Sequence, residues 1–250
     1  LGESPALTRL GAALIAEAPP LAQPVITCQE PATVQALAGF AILASSASAR
    51  MQAHLPPDAF VCDDCLRELA DPRDRRYRYP FINCTQCGPR YTLITRLPYD
   101  RAHTAMAGFP LCPACRAEYE NPGDRRFHAE PLACPVCGPQ LQCYSEEAGI
   151  IDDSAQALDA CVAALRAGLI VAVKGVGGYH LLCDARHDTA IARLRQLKPR
   201  PHKPLAVMFP FAGEDGLELV RGAAMVHRDS AELLLDAARP IIKMEKRTPF

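Results

Sequence analysis

A chain of 250 residues has room for one large or two to three small domains, and 49% hydrophobic residues suffice for packed cores. Its apolar runs are too short to cross a bilayer, and 27 basic against 28 acidic residues leave a net charge of −1, which argues against a general nucleic-acid-binding surface. No tryptophan and 6% aromatics also speak against a base-stacking platform, so the expectation is a soluble, cytoplasmic protein.

Residues 7–18 place Leu7, Leu10, Leu14 and Ile15 on one helical face, with Ser4-Pro5 as the start. Extended segments are expected around Val25–Cys28 and Phe40–Leu43, followed by a small-residue and proline linker that ends Leu55-Pro56-Pro57-Asp58. About 45 residues of this kind would not bury a core alone. The opening reads like the middle of a domain, and Ile241–Met244 reads like a strand with no closing element. The expectation is a piece of a longer protein.

Eight of the twelve cysteines follow as four Cys-x-x-Cys pairs. Cys62, Cys65, Cys84 and Cys87 recur 50 positions later as Cys112, Cys115, Cys134 and Cys137, both sets reading C-x2-C-x18-C-x2-C. Glu68/Glu118, Pro72/Pro122, Asp74/Asp124, Arg75/Arg125, Arg76/Arg126, Gly88/Gly138 and Pro89/Pro139 share the register. Two thiolates two residues apart take two corners of a tetrahedron, and a second pair closes it around Zn²⁺. A disulfide framework would need an oxidising compartment, for which the chain shows no signal-peptide pattern. A redox Cys-x-x-Cys comes singly, between a strand and a helix. The glycines after Cys87 and Cys137 suit a turn wrapped around a ligand. Four sulfurs leave no open coordination position, so two structural Zn²⁺ ions are expected and no chemistry at the metal. Equal spacing favours pairing of the knuckles within each repeat, with exchange between repeats as the alternative. The arginines at 73, 75, 76, 78, 125 and 126, offset by Asp71, Asp74 and Asp124, read as a solvated or salt-bridged face. His128 is a possible outer neighbour of the second cluster, while His54, His103, His187 and His227 show no ligand spacing and read as surface residues. Cys28, Cys143, Cys161 and Cys183 are unpaired by pattern.

Between the halves, Arg90–Thr95 has a strand-like pattern. Beyond them Asp152–Ser154 opens a helix through Leu158, Cys161, Val162 and Leu165, stopped by Gly168. A strand at Leu169–Val173, a helix near 188–197, a strand at Leu205–Phe209, a helix near 230–237 and a strand at 240–244 then alternate, which predicts an α/β domain with a mixed or largely parallel sheet. Two stretches here have ligand-binding character. Lys174-Gly-Val-Gly-Gly-Tyr-His180 lets backbone approach a ligand beside a cation, although it is not a P-loop and a plain turn would look the same. Lys198-Pro-Arg200-Pro-His-Lys203-Pro sets three cations on a proline-stiffened loop suited to polyphosphate, against an ordinary solvated loop. Together they point to a nucleotide site, with His180 facing a ligand or serving the core.

These blocks resemble the HypF family of carbamoyltransferases, maturation factors of [NiFe]-hydrogenases. The resemblance rests on CDDCLREL (62–69), DRRYRYPFINC (74–84), CGPRYT (87–92), LPYDR (97–101), FPLCPAC (109–115), DRRFHA (124–129), KGVGGYHL (174–181) and KPLAVM (203–208), in this order. It implies an α+β multi-domain fragment. Residues 1–50 would end an acylphosphatase-like (ferredoxin-like) domain, 51–59 would be a linker, 60–142 the duplicated zinc module, and 150–250 the first part of a YrdC-like nucleotide-binding domain. The phosphate-binding loop of the first domain would precede Leu1 and the His-rich transferase motifs would follow Phe250, so no catalytic residue is named and the fragment alone is expected to be inactive.

The resemblance implies three steps. Carbamoyl phosphate is hydrolysed to carbamate, carbamate joins ATP (with Mg²⁺) to give carbamoyl adenylate and pyrophosphate, and the carbamoyl group passes to the C-terminal cysteine of the partner HypE, later becoming cyanide. Lys198, Arg200 and Lys203 match the family's nucleotide-binding basic motif, with Lys174 and His180 as the opposing wall. The competing readings are a YrdC-like threonylcarbamoyl-adenylate synthase and a zinc-ribbon module that binds a partner without catalysis.

Overall fold

The computed structural model describes residues 4–18, 24–26, 28, 55–147 and 149–247. Two compact units emerge, residues 1–57 with 61–132 and residues 58–60 with 133–250. The first helix, α1, runs Ser4–Ala16 and buries none of its side chains. Val25 and Ile26 are exposed and outside any strand. The expected strand at Phe40–Leu43 lies outside the described residues, as does most of the region assigned to the end of an acylphosphatase-like domain.

The first unit is dominated by one motif. Helix α2 (Asp63–Ala70) starts on Cys62 as its N-cap, so Cys62 and Cys65 occupy the first turn of a helix. Helix α3 (Pro113–Glu120) starts in the same way on Cys112, with proline at N1 where no N–H is needed. After each helix the chain folds back through turns that repeat bond for bond. Asp74 and Asp124 side chains accept from the backbone N–H groups of Arg76 and Arg126. Arg78 N–H bonds Leu69 O and His128 N–H bonds Tyr119 O, and both Arg78 (φ 55°) and His128 (φ 50°) are left-handed. Tyr79, Ile82, Leu93, Met106, Ala129 and Leu132 form the apolar core beside the cysteines.

Arg90–Thr95 is not a strand. Tyr91–Leu93 is a 3₁₀ turn and only Ile94 bridges to Thr104. The cause is Arg90, whose buried guanidinium donates to the carbonyls of Cys84 and Pro89 and turns the chain back on the knuckle.

The second unit holds a short hairpin, β1 (Cys143–Ser145) with β2 (Gly149–Ile151), and then α4 (Ser154–Arg166). Helix α4 is capped by Asp153, which accepts from Gln156 N–H, and is stopped by Gly168 at φ +75°. The expected buried strand of a parallel sheet is instead half-exposed. Strand β3 (Val171–Gly175) pairs antiparallel with β4 (Gly178–Leu182) across the two-residue loop Val176-Gly177. Gly178, at φ +140°, supplies the backbone conformation that lets the chain double back. Helix α5 (Asp188–Leu197) packs Ala190 and Leu194 inward, and α6 (Glu218–Ala223) and α7 (Arg228–Leu235) follow. The strands expected at Leu205–Phe209 and 240–244 do not form. Neither stretch has a ladder partner among the described residues, and the nearby isolated bridge from Lys246 to Ala224 falls beyond the second of them. Apolar runs specify burial, and without a paired neighbour they make no strand. Among the described residues no helix is long and apolar enough to cross a membrane.

Candidate metal centres and the basic loop

The four sulfurs of Cys62, Cys65, Cys84 and Cys87 lie within 4.8 Å of one another, and so do those of Cys112, Cys115, Cys134 and Cys137. Pairing is therefore within each repeat. Individual separations are 3.7 Å for Cys62–Cys84, 3.8 Å for Cys84–Cys87, 3.6 Å for Cys65–Cys87 and 3.7 Å for Cys134–Cys137. A Zn–S bond of about 2.3 Å in a tetrahedron requires an S···S edge of about 3.8 Å, whereas a disulfide would need about 2.0 Å. The spacing fits a tetrathiolate metal site, and among the described residues no disulfide joins any two cysteines.

The electrostatics agree. Hydrogen bonds from Cys65 and Cys87 push the Cys84 thiol far down, while the hydrogen bonds that Cys65 shares with Cys84 and Cys87, together with burial, drive Cys65 far up. At Cys87 the bond from Cys65 works downward, but Cys84 and burial prevail and raise it to about 11. Sulfurs packed this closely resist a second ionisation unless a cation sits among them. Backbone N–H groups of Gln86 and Val136 point at Cys84 and Cys134 Sγ, at 3.3 and 3.4 Å, so each knuckle supports its sulfur from the chain itself. Gly88, at φ +92°, carries the chain out of the first knuckle, where an added Cβ would stand 2.6 Å from Asn83 Cβ.

The neighbouring arginines are salt-bridged, Arg73 in an exposed pair with Asp71 and Arg75, Arg76, Arg125 and Arg126 with the two repeat glutamates, and two of them are buried rather than solvated. Arg76 and Arg126 are 1% and 3% exposed, and their partners come from the other repeat: Arg76 bonds Glu118, and Arg126 bonds Glu68. Burial works against both carboxylates, yet the paired arginines outweigh it and hold Glu68 and Glu118 below the usual carboxylate range. The shared register of Glu68/Glu118 with Arg75/Arg125 and Arg76/Arg126 was the available signal for these pairs. His128 packs against Tyr119 and Phe127. His187 and His227 are exposed as expected, whereas His103 is half-buried with Nδ1 2.8 Å from Pro98 O, and His54 lies outside the described residues.

The candidate nucleotide residues fall in two places. Lys174 and His180 lie on the β3–β4 hairpin, with Lys174 Nζ 5.9 Å from the Tyr179 ring centre. Lys198, Arg200 and Lys203 lie on the exposed loop after α5. Among the described residues no hydrogen bond or ion pair joins the hairpin to the loop. A residue that pattern reading passed over shapes that loop: Arg195 Nη1 donates to the carbonyls of Arg200 and Lys203, at 2.9 and 2.8 Å.

The HypF finger family matches residues 61–94 and 111–144, each span enclosing one four-cysteine set. The Sua5/YciO/YrdC family, described as telomere recombination, matches residues 163–232. Carbamoyltransferase HypF2 of Cupriavidus necator is 51% identical over 249 residues, which are 99% of this chain and 30% of that protein. The chain belongs to the HypF family. Among solved structures, T. kodakarensis HypF superposes with a TM-score of 0.82 at 40% identity, covering all of this chain and 31% of the other. Full-length HypF in its phosphate- and nucleotide-bound form gives a TM-score of 0.69 at 48% identity, over 77% of this chain and 24% of the other. The chain thus spans about a third or less of the proteins it matches. It carries two four-cysteine groups able to hold zinc and a YrdC-type segment.

Proposed function

We propose that this chain serves an ATP-dependent carbamoyl transfer in [NiFe]-hydrogenase maturation, with the zinc module as a rigid support and the segment after residue 150 as the beginning of the adenylating domain. The observation that carries this reading is the union in one chain of two HypF fingers with a YrdC-type segment. In the proposed reaction carbamate, released from carbamoyl phosphate by hydrolysis, attacks the α-phosphorus of ATP through an oxygen. Pyrophosphate leaves and carbamoyl adenylate forms. The C-terminal thiol of HypE then attacks the carbamoyl carbon and expels AMP. Carbamate is short-lived in water, so linked sites that exclude solvent favour its transfer.

Lys198, Arg200 and Lys203 are the proposed contacts to the polyphosphate, where cations offset the charge that builds as pyrophosphate departs. Lys174 and His180 are the proposed opposing wall, and Mg²⁺ would accompany the nucleotide. A site with four sulfur ligands has no open position, so the zinc ions would hold the fold without touching substrate. We assign residues 1–50 to the end of an acylphosphatase-like domain and place the protein in the cytoplasm, with no nucleic-acid or membrane partner.

The test is ATP–pyrophosphate exchange by the full-length gene product, comparing carbamoyl phosphate with threonine plus bicarbonate. Exchange that requires carbamoyl phosphate and is lost in Lys203→Ala supports the reading. Exchange with threonine would make the protein a threonylcarbamoyl-adenylate synthase. No exchange with either, in zinc-replete protein, would leave a non-catalytic zinc-binding module.

A further inference from the structure

The duplicated module is braced by a reciprocal exchange. From the first repeat, Arg75 Nη2 lies 3.0 Å and Arg76 Nη2 3.6 Å from the Sγ of Cys115 in the second. The same two guanidiniums grip Glu118, at 2.8 Å from Arg75 and at 2.5 and 3.0 Å from Arg76. From the second repeat, Arg125 Nη1 lies 3.1 Å and Arg126 Nη2 3.9 Å from the Sγ of Cys65 in the first. Both of these arginines pair with Glu68, and Arg126 Nε also donates to Asn83 O at 3.0 Å. Cys65 and Cys115 are both wholly buried. Each group recurs 50 positions on, so one interaction is built twice in opposite directions.

The charge balance gives this geometry a purpose. A zinc ion with four thiolates carries a net charge of about −2, and buried charge is costly unless neighbours compensate it. Guanidinium N–H groups aimed at a bound sulfur supply positive charge and draw electron density from it, leaving it less open to protons and electrophiles. The carboxylate clamps each planar fork in place, which a flexible lysine ammonium would not match.

We propose that each metal centre takes its outer partners from the opposite repeat: Arg75 and Arg76 guard the site of Cys112, Cys115, Cys134 and Cys137, while Arg125 and Arg126 guard the site of Cys62, Cys65, Cys84 and Cys87. Neither repeat is complete alone, which accounts for the shared register outside the cysteines. The assignment is independent of the carbamoyl chemistry.

It is tested on the full chain loaded with two equivalents of zinc, by N-ethylmaleimide modification under a competing chelator with each cysteine followed by mass spectrometry. The variants are Arg75→Gln and Arg125→Gln, chosen because these two side chains are partly exposed, at 33% and 23%. Loss of an outer partner typically weakens metal binding about 10- to 100-fold. Arg75→Gln is expected to speed modification of Cys112, Cys115, Cys134 and Cys137 about tenfold and to leave the first repeat within about twofold of the parent. Arg125→Gln is expected to do the reverse, and Arg75→Lys to recover only part of the protection. Acceleration confined to the substituted repeat, equal acceleration of both, or no change would each overturn the proposal. So would a parent protein that takes up fewer than two zinc ions.

Discussion

Replacing Glu118 by alanine removes the carboxylate that receives three guanidinium contacts, at 2.8, 3.0 and 2.5 Å. Arg76, its main partner, keeps 2% side-chain exposure, so the variant strands a cation inside the protein rather than on its surface. Breaking a buried pair from one side costs about 3–5 kcal/mol. Here Glu118 keeps 20% exposure and the Cys115 sulfur still accepts from both arginines, which places the loss near the lower end, about 3 kcal/mol. Glu120 provides the control on the same helix: its pair with Arg116 is 3.5 Å long, with side chains 62% and 58% exposed. Glu120→Ala should cost about 0.5 kcal/mol or less. The assay is urea unfolding of the zinc-loaded chain at a fixed free-zinc concentration. A loss below about 1 kcal/mol for Glu118→Ala would put this pair in the solvent-screened class and refute the burial argument.

The pH dependence of the same pair has a definite sign. Because the arginines hold the folded Glu118 carboxyl below its ordinary value, its contribution is present above the unfolded value of about 4.3 and fades as pH falls through the folded one. The stability gap between parent and Glu118→Gln, each measured at the same pH, should therefore narrow below about pH 4.3; a gap that widens there would be inconsistent with the pairing. Gly88→Ala forces a side chain onto φ +92° and toward Asn83, and should cost about 2 kcal/mol or more in the same unfolding assay. An alanine variant as stable as the parent would show that the knuckle does not need this conformation. Arg195→Ala releases the carbonyls of Arg200 and Lys203. In the full-length protein it should raise the KM for ATP in pyrophosphate exchange by roughly tenfold while leaving zinc content at two, a loss of about 1.4 kcal/mol in binding. An unchanged KM would dissociate the loop's shape from nucleotide binding.

The metal sites were the most legible part of the chain because cysteine spacing encodes geometry directly: a helix N-cap and its N3 position put Cys62 and Cys65 on one turn, and the 50-residue repeat said it happens twice. Helices α4, α5 and α7 were also readable close to where they form, α4 most fully, from an apolar stripe between Asp153 and Gly168. The arginine exchange was less visible. Arg76 and Arg126 are surrounded in sequence by aspartates, and local pairing looked sufficient, but those carboxylates are spent on turns and on Arg73, while the decisive partner lies about 42 or 58 residues away. Strand expectations at Arg90–Thr95 and Leu205–Phe209 failed for a related reason. A β-branched or apolar run states only what prefers burial, whereas a strand needs a partner, and at Arg90 a buried guanidinium took the backbone elsewhere.

Zinc K-edge absorption on the purified full chain, with metal content measured in the same sample, tests the account most directly. Two zinc ions per chain, each with four sulfur neighbours at about 2.3 Å, is the expected result, falling to one ion per chain in Cys84→Ser and in Cys134→Ser. A single ion per chain, or nitrogen and oxygen scatterers in the first coordination sphere, would contradict a module built from two tetrathiolate sites.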